Sequence, residues 1–233
     1  MEEETPSTHC ENRLNQHETR YLLEKILPEH SFRGRLLEIG AGSCWASALI
    51  KRESPGTTVI SSDISMGDLR TGMKTAHELG SKADFFVACD VEKLPFKENL
   101  FDFVFGNAIM HHVSNVEKGI SEIHRVLKTG GKYVGSGEPM GSVFFKKIWR
   151  NRFLAKAIRR NTSEETFFTL KDLQTHFNVS GFGKLRIRQK TSWQYKDPDY
   201  HLAYAYYRAI SRFPNFIINS FLVTGIDIVA TKN

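Results

Sequence analysis

Between Arg35 and Ile39 the chain reads Arg-Leu-Leu-Glu-Ile and stops at Gly40-Ala41-Gly42, and Trp45 to Arg52 then carries apolar residues at helical spacing. A short apolar run closed by glycine predicts a buried strand, and the spacing behind it a helix. The cycle repeats. Thr57 to Ser62 is strand-like, Met66 to Leu79 helical, and Asp84 to Cys89 and Phe101 to Phe105 strand-like. Ser114 to Leu127 follows as a helix that Asn115 or Ser114 can cap, with Gly130-Gly131 expected to end it before a strand from Lys132 to Ser136. Strands alternating with helices on this spacing predict a parallel sheet covered on both faces, its strands largely buried.

The flanks are less regular. Apolar positions from Leu14 to Leu27 recur among charges as in a leading helix that Pro28 breaks. After Pro139 come a basic, aromatic segment, a strand-like Lys184 to Trp193, a tyrosine-rich helix from Tyr200 to Arg212 and a last strand from Phe221 to Ala230. The 233 residues fit one domain. Within it, 1–30 is a helical segment, 31–138 a ligand-binding core, and 139–233 a substrate-side lid with the final strands.

Composition narrows the class. Hydrophobic residues make up 40% and charged residues 25%, as in an ordinary globular enzyme or binding module. No continuous apolar stretch is long enough to span a membrane, and the acidic, polar start does not resemble a secretory signal. Cys10, Cys44 and Cys89 form no C-x-x-C pair, so a reducing cytoplasm fits and a metal site does not. The net charge of +6 would suit an anionic partner if it were concentrated. It lies mainly in the second half, where seven Lys or Arg fall between Lys146 and Arg160 with no acid among them.

In a parallel sheet the ligand crevice lies outside the carboxyl ends of the strands. Here those ends bring Glu38 with Gly40-Ala41-Gly42, then Asp63, Asp90 and Asn107, with no Lys or Arg. A glycine turn followed by an acid on the next strand serves any adenosine-containing ligand. Two features argue against a dinucleotide. Glu38 would sit beside a pyrophosphate, and Trp45 stands where the third glycine of the dinucleotide fingerprint belongs. A ligand carrying a sulfonium and an ammonium suits an acid beside the turn, and Asp90 can accept from an adenine amino group while the Val91 amide faces the ring. S-adenosylmethionine has these groups.

The segments LLEIGAGSC, VISSDIS, ACDVEKLPF, FDFVFGNAIMHHV and HRVLKTGGKYV, in this order, resemble the class I methyltransferases of the type 11 family over about Leu36 to Val134. The resemblance implies a Rossmann-like, doubly wound α/β fold whose seven-stranded sheet is mostly parallel with the last strand antiparallel. It implies S-adenosyl-L-methionine as cofactor, S-adenosyl-L-homocysteine as its product, and a small or medium-sized organic acceptor. Residue by residue, it puts Glu38, Gly40 and Gly42 around the methionine moiety, Asp63 on the ribose hydroxyls, Asp90 and Val91 at the adenine, and Asn107 near the methionine ammonium or carboxylate, with Ala41 and Ile64 among the cofactor-binding residues. Cys44 departs from the pattern, standing where many relatives have glycine.

Other residues carry two readings. Glu38 is also a natural turn-stabilising carboxylate, and Asp63 and Asp90 ordinary strand-end turn formers. His111, His112 and Glu138 are the candidates for a base, although the histidine pair reads first as a packing or lid contact and Glu138 as a plain strand-end acid. Cys44 and Cys89 read as small buried fillers. Residues Lys146 to Arg160 show no clean amphipathic face and read as a lid before a membrane or nucleic-acid surface. Tyr200, Tyr204 and Tyr207 share a helical stripe, by default core packing. Two rivals stand beside small-molecule methylation: RNA (tRNA) methylation using the basic half, and a non-catalytic cofactor-binding protein of the same fold. Against the first, Gly106-Asn107-Ala108-Ile109 is not the N-P-P-Y/F pattern of many adenine-amino methylases.

Overall fold

The computed structural model describes residues 17–140, 168–190 and 224–233. The segment Lys146 to Arg160 and the Tyr200, Tyr204 and Tyr207 stripe lie outside the described residues. The chain enters through helix α1, residues 17–29, in which α-helical His17–Tyr21 and Leu27–Glu29 bracket a π-helical turn, Leu22–Ile26. The Leu27 amide reaches back to the Leu22 carbonyl, one residue beyond the α-helical partner, just before Pro28, which has no amide to donate. The helix thus runs past the proline and ends at His30.

Strand β1 (Arg35–Ile39) leads into α2 (Trp45–Glu53), and β2 (Thr58–Asp63) into α3 (Met66–Glu78), whose first turn is capped by the Ser65 hydroxyl accepting from the Asp68 amide. Then follow β3 (Phe85–Ala88), β4 (Phe101–Asn107), α4 (Val116–Val126) with Asn115 as cap, β5 (Leu127–Met140), α5 (Leu170–Val179), β6 (Phe182–Lys190) and β7 (Thr224–Lys232). The sheet order is β3-β2-β1-β4-β5-β7-β6. All pairings are parallel except those of β7, which runs antiparallel to both β5 and β6. This is the expected seven-stranded, mostly parallel sheet with its last strand reversed. No helix among the described residues is long and apolar enough to cross a membrane.

Alternation along the strands divides the core. Leu36, Phe105 and Val134 pack under α1 and α2 on one face. Leu37, Ile39, Val104 and Tyr133 pack on the other under α4 and α5, which contribute Ile120, Ile123, Leu173 and Phe177. The order reverses between β1 and β4, so their carboxyl ends splay apart and open the crevice where ligands bind in such sheets.

Three expectations are corrected. The pair Gly130-Gly131 does not end α4, because Leu127 is already extended and pairs with Phe101. The glycines sit in an irregularity of β5, where the register with β4 shifts between Phe101 and Phe103 and a side chain at Gly131 would meet the Lys128 carbonyl at 2.8 Å. Strand β3 is an edge strand and only half-buried, with Phe85 exposed. Helix α5 was not expected, yet Thr169 and Asp172 form a capping box at its start and Leu173 and Phe177 are buried in the core.

Candidate active site

The turn after β1 is built on positive backbone angles. Gly40 (φ +60°), Gly42 (φ +47°) and Cys44 (φ +53°) all lie in the left-handed region. A side chain at Gly40 would stand 2.3 Å from Ile109 Cδ1, so glycine is required by space as well as by angle. At Gly42 a side chain would meet nothing within 4 Å among the described residues, which leave this face of the turn open. Cys44 holds a conformation that costs a non-glycine residue about 1 kcal/mol. Its buried thiol lies against α3 at Gly72, where a side chain would come within 2.4 Å of Sγ and 2.8 Å of the Gly42 carbonyl oxygen. Ala41 is buried, and its amide donates to the Ser62 carbonyl at 2.9 Å, tying the turn to β2.

Glu38 lies beneath this turn, 3% exposed, and its Oε2 accepts from the Ser47 amide at 3.2 Å in the first turn of α2. Burial pushes its carboxyl up to about 7, opposed by the hydrogen bonds of Ser47 and Ser61. Around it, the Ser61 hydroxyl donates to that of Ser47 at 2.6 Å, and the Ser62 hydroxyl to the Glu38 carbonyl at 2.7 Å. Glu38 therefore takes the supporting position, holding the start of α2, and does not line the cleft.

The cleft itself, about 140 Å³, lies between the carboxyl ends of β1, β2 and β3 and the turn after β4. Its walls include Gly40, Asp63, Ile64, Asp90, Val91 and His112, and among the described residues no Lys or Arg lines it. The Asp63 carboxylate is fixed by two amides, from Gly42 to Oδ2 at 2.8 Å and from Ser65 to Oδ1 at 2.9 Å. Each oxygen keeps a second acceptor position, which suits a pair of vicinal hydroxyls. Asp90 Oδ1 accepts from the Glu92 amide at 2.8 Å and caps the 3₁₀ turn Val91–Lys93. Ile64 is 75% exposed, an apolar surface laid bare beside two acids. Apolar faces flanked by carboxylates fit a nucleoside, whose bases stack and whose hydroxyl and amino groups donate.

Asn107 ends β4 beside Ser136 of β5 and stands outside the cleft wall. Its Oδ1 would lie 3.3 Å from a side chain at Gly137 (φ +73°). The three candidates for a base are placed differently from one another. Glu138 is fully buried. Its Oε1 accepts from the amides of Ile109 and Met110 at 2.9 Å, and its Oε2 from the His111 amide at 3.4 Å, with His111 Nδ1 at 3.0 Å. With no atom at the surface and three backbone amides and the His111 ring on it, Glu138 does not face the crevice as a base would, and it is more than the plain strand-end acid read from the sequence. His111 is buried against it, and of the three only His112 lines the cleft, together with Asp63 and Asp90.

Residues not singled out from the sequence complete the walls. Ile109 wedges between Gly40 and Gly106, where side chains would stand 2.3 and 2.7 Å from it, and Val113 lines the cleft as well. Cys89, read from the sequence as a buried filler, is half-buried and also lines the cleft. The segment FDFVFGNAIMHHV pointed to this loop but not to which of its side chains turn inward. A second cluster joins α1 to β5 and β7: the Tyr21 hydroxyl and the Ser136 hydroxyl both donate to Asp227. A larger concavity, about 940 Å³, lies at the opposite, amino-end edge between Leu23, Leu27 and residues 52–57. It holds neither the glycine turn nor the strand-end acids, so the smaller cleft is the candidate site.

Comparison with known proteins agrees with this geometry. A family model described as a methyltransferase domain matches residues 37–135. A malonyl-[acyl-carrier protein] O-methyltransferase of Buchnera aphidicola subsp. Baizongia pistaciae is 32% identical over 154 residues, covering 66% of this chain and 56% of that protein. A ubiquinone/menaquinone biosynthesis C-methyltransferase of Burkholderia mallei is 28% identical over 174 residues, covering 64% and 71%. The chain spans little more than half the length of the first of these. Among solved structures, geranyl diphosphate C-methyltransferase from Streptomyces coelicolor A3(2) superposes with a TM-score of 0.68 at 17% identity, covering all of this chain and 86% of the other. Sheet order, glycine turn and strand-end acids agree with the match over residues 37–135, where the chain is similar to methyltransferase domains.

Proposed function

We propose that the chain transfers the methyl group of S-adenosylmethionine to a small or medium-sized organic acceptor by in-line displacement. The observation that carries this reading is the cleft in which Asp63 and Asp90 stand at successive strand ends beside a glycine turn, with no cationic side chain on the walls among the described residues. A pyrophosphate would meet uncompensated acids there, whereas a cationic nucleoside meets partners. When bound, the cofactor supplies a methyl group on positive sulfur, already activated for displacement.

The chain's own residues then bind and orient. Asp63, held by the Gly42 and Ser65 amides, receives the ribose hydroxyls. Asp90 and the Val91 amide face the adenine, with Ile64 and His112 on its flanks. The open face of Gly42 and the end of β4 at Asn107 border the methionine moiety. Glu38 supports the turn from below. Since Glu138 is enclosed and His112 stands on the cofactor side, this reading assigns no base; holding nucleophile, carbon and sulfur collinear is the protein's main task. The relatives named above are by name a malonyl-[acyl-carrier protein] O-methyltransferase and a ubiquinone/menaquinone biosynthesis C-methyltransferase, which supports an organic acceptor here. The unpaired thiols of Cys44 and Cys89 support the cytoplasm as its compartment.

Titration calorimetry tests the reading. S-adenosylmethionine and S-adenosylhomocysteine are expected to bind and NADH not to. Binding of NADH alone contradicts it.

A further inference from the structure

We infer that Glu138 is a positioning residue for cofactor binding: without touching the cofactor it holds the turn 109–112 that walls the cleft, and it fixes the protonated nitrogen of His111. The binding half of this inference rests on the cofactor reading above. The turn Met110–His112 is a single 3₁₀ turn, in which His112 and Val113 donate back to Ile109 and Met110. Such a turn leaves its first amides without internal partners. Glu138 takes those of Ile109, Met110 and His111 together with the His111 ring. A carboxylate is acceptor-only, so His111 Nδ1 carries the proton.

Simple alternation would not deliver this carboxylate. Val134 packs on the α1/α2 face, and Ser136 points there too, toward Asp227 and Tyr21. Residue 138 would follow them. The register between β5 and β7 shifts between Gly135 and Glu138, with Gly137 at φ +73°, and Glu138 pairs with Ile226, whose side chain lies on the α4/α5 face. The extra residue turns Glu138 across the sheet to the turn after β4, the use to which bulges beside functional sites are put. The consequence reaches the cleft through two contacts. Ile109 is pinned between Gly40 and Gly106, and the His112 ring lies against that of His111 at a centroid distance of 3.9 Å while lining the cleft.

The test is Glu138→Gln, with S-adenosylhomocysteine as probe. The amide keeps one acceptor oxygen but turns donors toward His111, so the His111 proton should move from Nδ1 to Nε2, read by imidazole nitrogen NMR. Affinity for S-adenosylhomocysteine should fall about tenfold or more. An unchanged His111 tautomer, or affinity within twofold of the parent, overturns the inference. Should the variant not fold, hydrogen exchange on the unsubstituted protein decides. Amides 109–111 protected before S-adenosylhomocysteine is added support a preformed turn, and exchange at the unprotected rate overturns it. If the unsubstituted protein binds neither S-adenosylmethionine nor S-adenosylhomocysteine, the cofactor reading fails, while the tautomer and exchange measurements still decide what Glu138 holds.

Discussion

Replacing Glu38 by Gln keeps the length of the side chain and its acceptor for the Ser47 amide, but removes a carboxylate that has almost no water around it. Burial raises this carboxyl from its ordinary 4.5 to about 7. The folded protein therefore binds the Glu38 proton more tightly than the unfolded chain does. With respect to this group, stability is greatest below pH 4.5, falls as pH rises, and bears the full penalty of the buried charge above pH 7. The difference corresponds to roughly 3 kcal/mol. Asp84, Asp102 and Glu122 act in the opposite direction, because their carboxyls are held low and their contribution is lost only in acid, but they do so equally in both proteins. Urea denaturation of Glu38→Gln and the parent between pH 4.5 and 8 isolates the effect. The two should have similar stability near pH 4.5, and the variant should gain steadily to roughly 2 to 3 kcal/mol at pH 8. A constant offset across the range would refute the claim that Glu38 is a desolvated acid beneath the turn.

Other substitutions separate binding from support. Asp63→Ala and Asp90→Ala should each weaken S-adenosylhomocysteine binding about tenfold or more by calorimetry. Unchanged affinity in both would remove the site assignment. Gly72→Ala drives a methyl into Cys44 Sγ and the Gly42 carbonyl, so it should cost about 1 to 3 kcal/mol in denaturant unfolding and weaken cofactor binding as well. The Tyr133 hydroxyl is buried and has no hydrogen-bond partner among the described residues, so Tyr133→Phe should stabilise the protein by about 1 kcal/mol, and a loss of stability would show that the hydroxyl is bonded.

Much of the fold was legible because its signals are local. The run Arg35–Ile39 is bounded by Gly40, and α3 and α4 by their capping residues, and each element lies within a residue or two of its expected position. The acids were legible because parallel strands present their carboxyl ends to one edge, so Asp63 and Asp90 had to meet. What failed depends on pairing across the sheet. The diglycine at 130–131 has the look of a helix stop, but Leu127 finds Phe101 and turns it into a strand irregularity. The inward direction of Glu138 is set by a register shift against β7, far away in sequence. Glu38 shares its side of the sheet with α2, which the charge argument did not weigh, and that placement makes it a support. Helix α5 could have been read from Thr169, Asp172, Leu173 and Phe177, a capping box followed by an apolar pair at helical spacing.

The central claim is that the strand-end acids and the glycine turn hold the cofactor, and a crystal structure with S-adenosylhomocysteine bound tests it most directly. The ribose hydroxyls should rest on Asp63, the adenine amino group on Asp90, and the amino-acid portion along Gly40 to Gly42. Density for the ligand elsewhere, for instance in the concavity at the amino ends of β1 and β2, would contradict the account.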